Sequence, residues 1–454
     1  MRSRPYRQTA SGLAFAALIV TLTACSTTYD QRIRKAHDAA TVGNYSGGIE
    51  VMNGVLGVGS EEKLPEKWTA NRPLGALERG MLLQAKGEYA LSSRDISGAD
   101  TELEFLDLEL DTAGNIGKYV YSDSSTIYKT TPTEKMALNA FNMLNFLALG
   151  RLDAAAVEAR RLTVIRDYLE ENDQQSHSAF GSYLGGFVFE QMGGEDERAM
   201  RYYGDTLDDL PDLGPLGPGV ARLARKTSYR SGPIDTFLAS PAATAPSGPT
   251  DAESGEILVV TGIGRVPHKE AEVMPIGLAI GYASAFITGD TKVLERSAFK
   301  VVKFPELRPS RSVLRRASVT IDGSSVPVHL MTDLGAEIKR EHEELKPKII
   351  GAALTRMIAR AIAAEGARHA GKRANPLVGI LAALATEAAL VGLDTPDTRS
   401  WSFLPERVYM SRLRVPPGDH KVTVTLNGAG VERRETTLRV EPGSFAVFVA
   451  TAPR

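Results

Sequence analysis

The sequence predicts a mixed α+β protein of several domains. An N-terminal array of α-helical hairpins is followed by an α+β unit that closes in a small antiparallel β-sandwich. Three observations lead there. Apolar residues recur at three- and four-residue spacing, interrupted by glycines, up to about residue 228. Proline, serine and alanine then crowd residues 229–255, where aromatic side chains stop after Phe237. From about 405 to 454, apolar and polar residues alternate between Pro-Gly and Asn-Gly turns. A chain of 454 residues has room for two or three separately buried cores.

The N-terminus comes first. Arg2, Arg4 and Arg7 precede an apolar run, Gly12 to Val20, that is short for a bilayer span. Leu22-Thr23-Ala24-Cys25 closes the segment, and Cys25 is the single cysteine of the chain. This order resembles the lipobox of bacterial lipoproteins, which implies a signal peptide over 1–24 and acyl chains (palmitate) on Cys25. Acylation would consume a thiol that is otherwise a liability in an oxidising compartment. Ser26, where an aspartate is absent, implies an outer-membrane, periplasm-facing location. With Cys25 acylated, no thiol is left for an intrachain disulfide, a zinc-thiolate site or a cysteine nucleophile. The formal charge is −2, and loss of the three leader arginines leaves about −5. Such a balance does not suit nucleic acid.

Residues 25–228 read as helical. Leu138, Phe141, Leu144 and Leu147 form one stripe ending at Gly150, and a second helix begins near Asp153 with Ala156, Ala159 and Leu162 on one face. Gly80, Leu83 and Gly87 share their spacing with Gly186, Phe189 and Gly193, and Ala199, Tyr203 and Pro211 complete that unit. Ala39, Gly43 and Gly48 suggest another at the start. Four hairpins are expected. Small residues let paired helices approach, and glycine makes each turn, a pattern that resembles the tetratricopeptide repeat (TPR). The turn glycines lie 44, 63 and 44 residues apart, so the register is degenerate against the repeat's ~34. The long gap holds an insertion, Ser97 to Thr133, whose acidic–apolar run Glu102 to Asp111 lacks the glycine and terminal glutamate of a calcium loop. A solvated face is expected there.

Pro233, Pro241, Pro246 and Pro249 mark 229–255 as a linker. Beyond it, Glu256 to Thr261 is a buried strand, followed by Gly262, Gly264 and Pro267-His268-Lys269. Strands at Ser318 to Ile321 and Val326 to Leu330 are joined by Asp322-Gly323. A helix begins near Leu334 and is broken or kinked at Pro347. Its continuation, Ile349 to Ala364, is amphipathic, with Ile350, Leu354, Met357 and Ile358 opposite Arg356 and Arg360. Asn375-Pro376 caps an apolar helix, Leu377 to Val391, too short and too charged at Glu387 for a span. The final strands, Val408 to Leu413, Lys421 to Leu426, Arg433 to Val440 and Phe445 to Ala450, resemble the small β-modules called PEGA-like. The α+β domain is thus 256–454, with the module at about 405–454.

Catalytic patterns do not complete. Gly366 to Lys372 has P-loop spacing, but Arg373 stands where a magnesium-binding hydroxyl belongs. Pro267 blocks a dinucleotide loop after Gly262-Ile263-Gly264. His342-Glu343-Glu344 lacks a second histidine, and Ser182 sits one place too early for a nucleophile elbow. No catalytic residue, metal ligand or cofactor is assigned. Two patches remain. Asp397-Thr398-Arg399-Ser400-Trp401, running on to Leu404-Pro405, reads first as a clamp between helices and final sheet. Arg399 and Trp401 are equally residue types that anchor partners. Glu158, Arg160, Arg161 and Arg166 line the second helix of the best hairpin, a solvated face or a seat for an acidic tail.

The segments ALNAFNMLNFLALGRLDAAAVEARR, GEILVVTGIGRVPHK and DTRSWSFLPERVYMSRLRVPPGDHKVTV together resemble a family of Gram-negative TPR-like outer-membrane lipoproteins. Members often lie near lipoprotein activators of penicillin-binding proteins. The resemblance implies a non-enzymatic envelope scaffold that binds a protein partner, with peptidoglycan or outer-membrane assembly as the expected setting, and it supplies no catalytic residues. The alternatives are an envelope enzyme using the C-terminal domain, or a lipid or glycan carrier with helices 349–391 lining its pocket.

Overall fold

The computed structural model describes residues 28–105, 127–172, 178–244, 249, 253–296, 300–372 and 396–454. The signal segment expected over 1–24, Cys25, most of the acidic–apolar run and the apolar helix expected at 377–391 lie outside the described residues.

Glycine placement builds the helical half. Four hairpins follow one another: α1 Tyr29–Thr41 with α2 Tyr45–Leu56, α3 Arg72–Lys86 with α4 Tyr89–Asp100, α5 Pro132–Ala148 with α6 Leu152–Glu171, and α7 Ala179–Met192 with α8 Asp196–Asp209. Their turns contain Gly43, Gly87, Gly150 and Gly193-Gly194, all at φ between 68° and 84°, a region that other residues avoid. Within each hairpin, small residues set the spacing. A Cβ added at Gly80 would meet Ile96 at 2.9 Å, and one at Gly186 would meet the Tyr203 ring at 2.6 Å. Between hairpins two and three, β1 Glu104–Phe105 and β2 Lys129–Thr130 form a short parallel bridge. Helix α5 starts at a capping box, in which Thr131 and Glu134 satisfy each other's backbone N–H. Asp153, near which the helix is expected to begin, lies inside the first turn of α6; Arg151 is the cap.

The expected linker is corrected over its described part. Following α9 Gly217–Ala224, helix α10 Gly232–Leu238 buries Ile234 and Phe237 in the same core as the hairpins. Proline here starts a helix at its second position, where a missing N–H costs nothing.

The β-module is also larger than expected, and one of its pairings is parallel. It comprises β3 Gly255–Ile263, β6 Leu314–Ile321, β7 Ser324–Val326, β8 His329–Asp333, β9 Arg407–Val415, β10 Gly418–Gly428, β11 Val431–Val440 and β12 Phe445–Ala452. These strands form two four-stranded sheets, in the orders β11-β10-β6-β7 and β12-β3-β9-β8. Strands β12 and β3 run parallel. Residues 405–454 make no closed module alone because β9 and β12 flank β3, and β10 pairs with β6. The β6–β7 turn is the expected Asp322-Gly323, at φ 51° and 79°. Strand β3 is buried on both faces: Ile257 and Val259 point between the sheets, Leu258 and Val260 toward the helices. That explains its unbroken apolar run. The order of layers is therefore helices, sheet, sheet.

A lobe stands apart with its own small core. It consists of β4 His268–Pro275 paired with β5 Val301–Arg308, α11 Ile276–Ala283, α12 Lys292–Arg296 and the long helix α13 Leu334–Lys372. Helix α13 continues through Pro347. The carbonyl that loses its donor belongs to Glu343, which is exposed and can be hydrated. No described helix is long and apolar enough to cross a membrane.

Candidate functional site

The two most specific pieces of sequence, Pro267-His268-Lys269 and the stretch from Arg399 to Pro405, meet in space. Residues 396–406 form an irregular strap leading into β9. Irregular backbone inside a protein needs partners for every N–H and C=O. Helices α3 and α5 supply them with two buried carboxylates.

Glu78, in α3, accepts from the Ser402 N–H at 2.9 Å, the Ser402 hydroxyl at 2.7 Å and the Phe403 N–H at 2.8 Å. Glu134, in α5, accepts from the Trp401 N–H at 2.9 Å and from the Tyr128 hydroxyl at 2.5 Å. On α1, His37 Nε2 lies 2.7 Å from Ser402 Oγ, and Asp30 accepts from the Thr398 hydroxyl at 2.9 Å. Arg265 holds α1 from the other side, donating to the His37 carbonyl at 2.7 Å and to Thr41 Oγ1 at 2.9 Å, with its guanidinium over Phe403. The His268 ring sits 5.5 Å from that of His37. Val266 N–H donates to the Leu404 carbonyl at 3.0 Å, and Lys269 N–H to Ser400 Oγ at 3.4 Å.

Burial sets the electrostatics. It pushes the Glu78 carboxyl up to about 8, although Ser402 and Phe403 donate to it. Burial, then Arg265 and His268, holds the His37 imidazole well below its ordinary range. Burial also pulls Arg265 down to about 10. Burial works to raise Asp397, yet the Arg399 guanidinium overrides it and keeps that carboxyl low.

Glu78, Ser402 and His37 make a chain of acid, hydroxyl and imidazole. Hydrolytic triads put the imidazole in the middle, between carboxylate and nucleophile. Here the hydroxyl is in the middle and Ser402 is 1% exposed. The arrangement is suited to holding the strap.

Two further contacts fasten the sandwich to the hairpins. Arg412, on β9, bridges Glu190 of α7 at 2.8 Å and Glu256 of β3 at 2.7 Å, and reaches the Tyr203 hydroxyl at 3.1 Å. Arg222 of α9 joins the same two carboxylates. On β12, the Thr451 hydroxyl donates to Gln84 at 2.7 Å, and the Val449 carbonyl accepts from the Tyr89 hydroxyl at 3.1 Å. The first helices of hairpins two to four thus face this chain's own strap and sheet.

The expected partner residues fare differently. Trp401 is 0% exposed and Arg399 is 3% exposed, so neither lies on a free surface. Arg399 instead pairs with Asp397 at 2.6 Å and stands over the Tyr128 ring, since a strap laid in the groove needs its cation neutralised there. Arg160 and Arg161 are exposed on α6. Arg161 pairs with Asp100 and with Glu158, and Arg166 pairs with Glu170 and Asp205. Cys25 lies outside the described residues. Glu78, Glu134, His37 and Arg412 were missed by reading the sequence. For Glu78 one signal existed: Glu78-Arg79 interrupts the apolar run of α3, which is buried on every side. Arg79 meets Asp95 at 2.5 Å.

No protein-family model, curated protein or solved structure matches this chain.

Proposed function

We propose that this chain is a non-enzymatic, lipid-anchored envelope lipoprotein that acts as a protein–protein interaction scaffold, with a role in peptidoglycan or outer-membrane assembly. In this reading the hairpins are a degenerate TPR-like array, the sandwich is a PEGA-like module enlarged by β3 and β6 to β8, and acylated Cys25 holds the protein at the outer membrane. One observation carries the reading. The buried polar chemistry at the centre of the molecule, from Glu78 to Arg412, is directed at bonding helices to sheet. A rigid body built that way serves to present surfaces.

The strap already fills the inner face, so the partner meets the outer face. On α6, Val157 is 40% and Val164 69% exposed, and Arg160 lies between them at helical spacing. A cation flanked by exposed apolar side chains fits an acidic, partly apolar protein segment.

Placing a photo-crosslinking residue at position 164 tests this in cells, with Cys25→Ala as the delocalised control. One envelope protein captured from position 164, and lost in the control, is the expected result. Capture of no protein, with lipid or glycan co-purifying, would turn the reading toward a carrier.

A further inference from the structure

We infer that the outer face of the lobe, centred on α11, seats on a lipid bilayer at the same end of the molecule as the anchor. The inference rests on the lipoprotein reading of Cys25 and adds a second membrane contact to it.

Direction comes from the strap. It runs parallel to α1, because Thr398 meets Asp30 while Ser402 meets His37. Strand β4 is antiparallel to the strap: Val266 bonds Leu404, and Lys269 bonds Ser400. Helix α13 follows the same course. A Cβ at Gly335 would meet Glu406 at 2.9 Å, and Glu341 accepts from Thr133 N–H beside Glu134, which holds Trp401. Strand β4 and helix α13 therefore both leave the body at the N-terminal end of α1, carrying the lobe with them.

Reach makes the second argument. Cys25 precedes Thr28 by three residues, which span at most about 11 Å. Past Lys269, β4 runs six more residues to Pro275, roughly 20 Å. A lipid on Cys25 cannot hold the lobe clear of the bilayer.

The surface itself suits lipid. Helix α11 has no charged residue. Leu278 is 67% exposed and Tyr282 46%, four residues apart and so on one face. Val273 and Val301 extend the apolar surface at 53% and 44% exposure. Lys303 lies opposite Val273 in the β4–β5 register, and the carbonyl of exposed Lys300 accepts from Ile276 N–H at the start of α11, so ammonium groups beside the apolar face can reach anionic headgroups.

The test uses the full mature chain with Cys25→Ser, so that no acyl chain contributes, and vesicles of three parts phosphatidylethanolamine to one part phosphatidylglycerol. Leu278→Trp is the reporter. Val431→Trp is the control: Val431 is 69% exposed beside Glu432, whose partner Arg454 lies against Gly43 at the far end of α1. On adding vesicles, Leu278→Trp should shift to the blue and be quenched by brominated lipid, while Val431→Trp should not. Tyr282→Asp should weaken sedimentation with vesicles about tenfold. No shift at position 278, equal shifts at both positions, or a shift without vesicles accompanied by dimer formation would overturn the inference. The mass of the N-terminal peptide from wild-type membranes tests the anchor separately. An acylated Cys25 with no vesicle response leaves the lipoprotein reading standing and removes only this inference; an unmodified Cys25 removes both.

Discussion

Glu78 and Ser402 are 324 residues apart in sequence and share two hydrogen bonds, at 2.9 and 2.7 Å, in a place closed to solvent. Through them a loop of the C-terminal half becomes part of the helical core. Glu78→Ala would leave the N–H groups of Ser402 and Phe403 buried without acceptors. The expected loss is about 2–4 kcal/mol in urea unfolding, and Glu78→Gln should lose about half as much.

The same pair, with His37, sets a pH dependence. Glu78 has its ordinary value of 4.5 when unfolded and about 8 when folded, so its contribution is full below 4.5 and is lost as pH rises through 8. His37 titrates at 6.5 when unfolded and well below that when folded, so its share is lost as pH falls below 6.5. The two slopes oppose each other between pH 4.5 and 6.5. Unfolding free energies from pH 5 to 9 should show Glu78→Gln flattening the alkaline fall and His37→Gln flattening the acid one.

Arg412 is the charge on which the second fastening depends. Its side chain is 4% exposed and touches Glu190 and Glu256, which are 10% and 8% exposed. Arg412→Met leaves Glu256 to Arg222 and Glu190 to Arg222 and the Tyr203 hydroxyl, and should cost about 3–5 kcal/mol. Adding Glu256→Leu to that variant should recover part of the loss, which equilibrium unfolding of the three proteins would measure.

Glycines separate turn from packing. Gly186→Ala forces a methyl into the Tyr203 ring and should destabilise by about 1–3 kcal/mol. Gly54→Ala, in the exposed interior of α2 with nothing within 4 Å, should stabilise by about 0.5–1 kcal/mol. Thermal unfolding of the two variants gives shifts of opposite sign.

Local chemistry was legible in the sequence, and long-range chemistry was not. Gly43, Gly87, Gly150 and Gly194 announce four turns because a left-handed residue is a local demand. The run Glu256 to Thr261 announces a strand buried on both faces. Residues 229–255 misled because proline density reads as a tether, while Phe237 alone says that the segment is buried. The limits of the β-module misled because β3, the partner of both β9 and β12, lies about 150 residues before the one and about 190 before the other. In the strap, the arginine–aspartate clamp was readable from three adjacent residues. Glu78 and His37 were not, since a charged residue on a helix reads as solvated until its partner is known.

The central claim is that the inner face of the helical array is filled by the chain's own strap. Amide hydrogen exchange, followed by mass spectrometry on peptides covering residues 399–404, tests it most directly. The N–H groups of Trp401, Ser402 and Phe403 should exchange as slowly as those of α3 and α5, through global unfolding alone. Exchange of the strap within seconds, while α3 and α5 stay protected, would show an open groove and contradict the account.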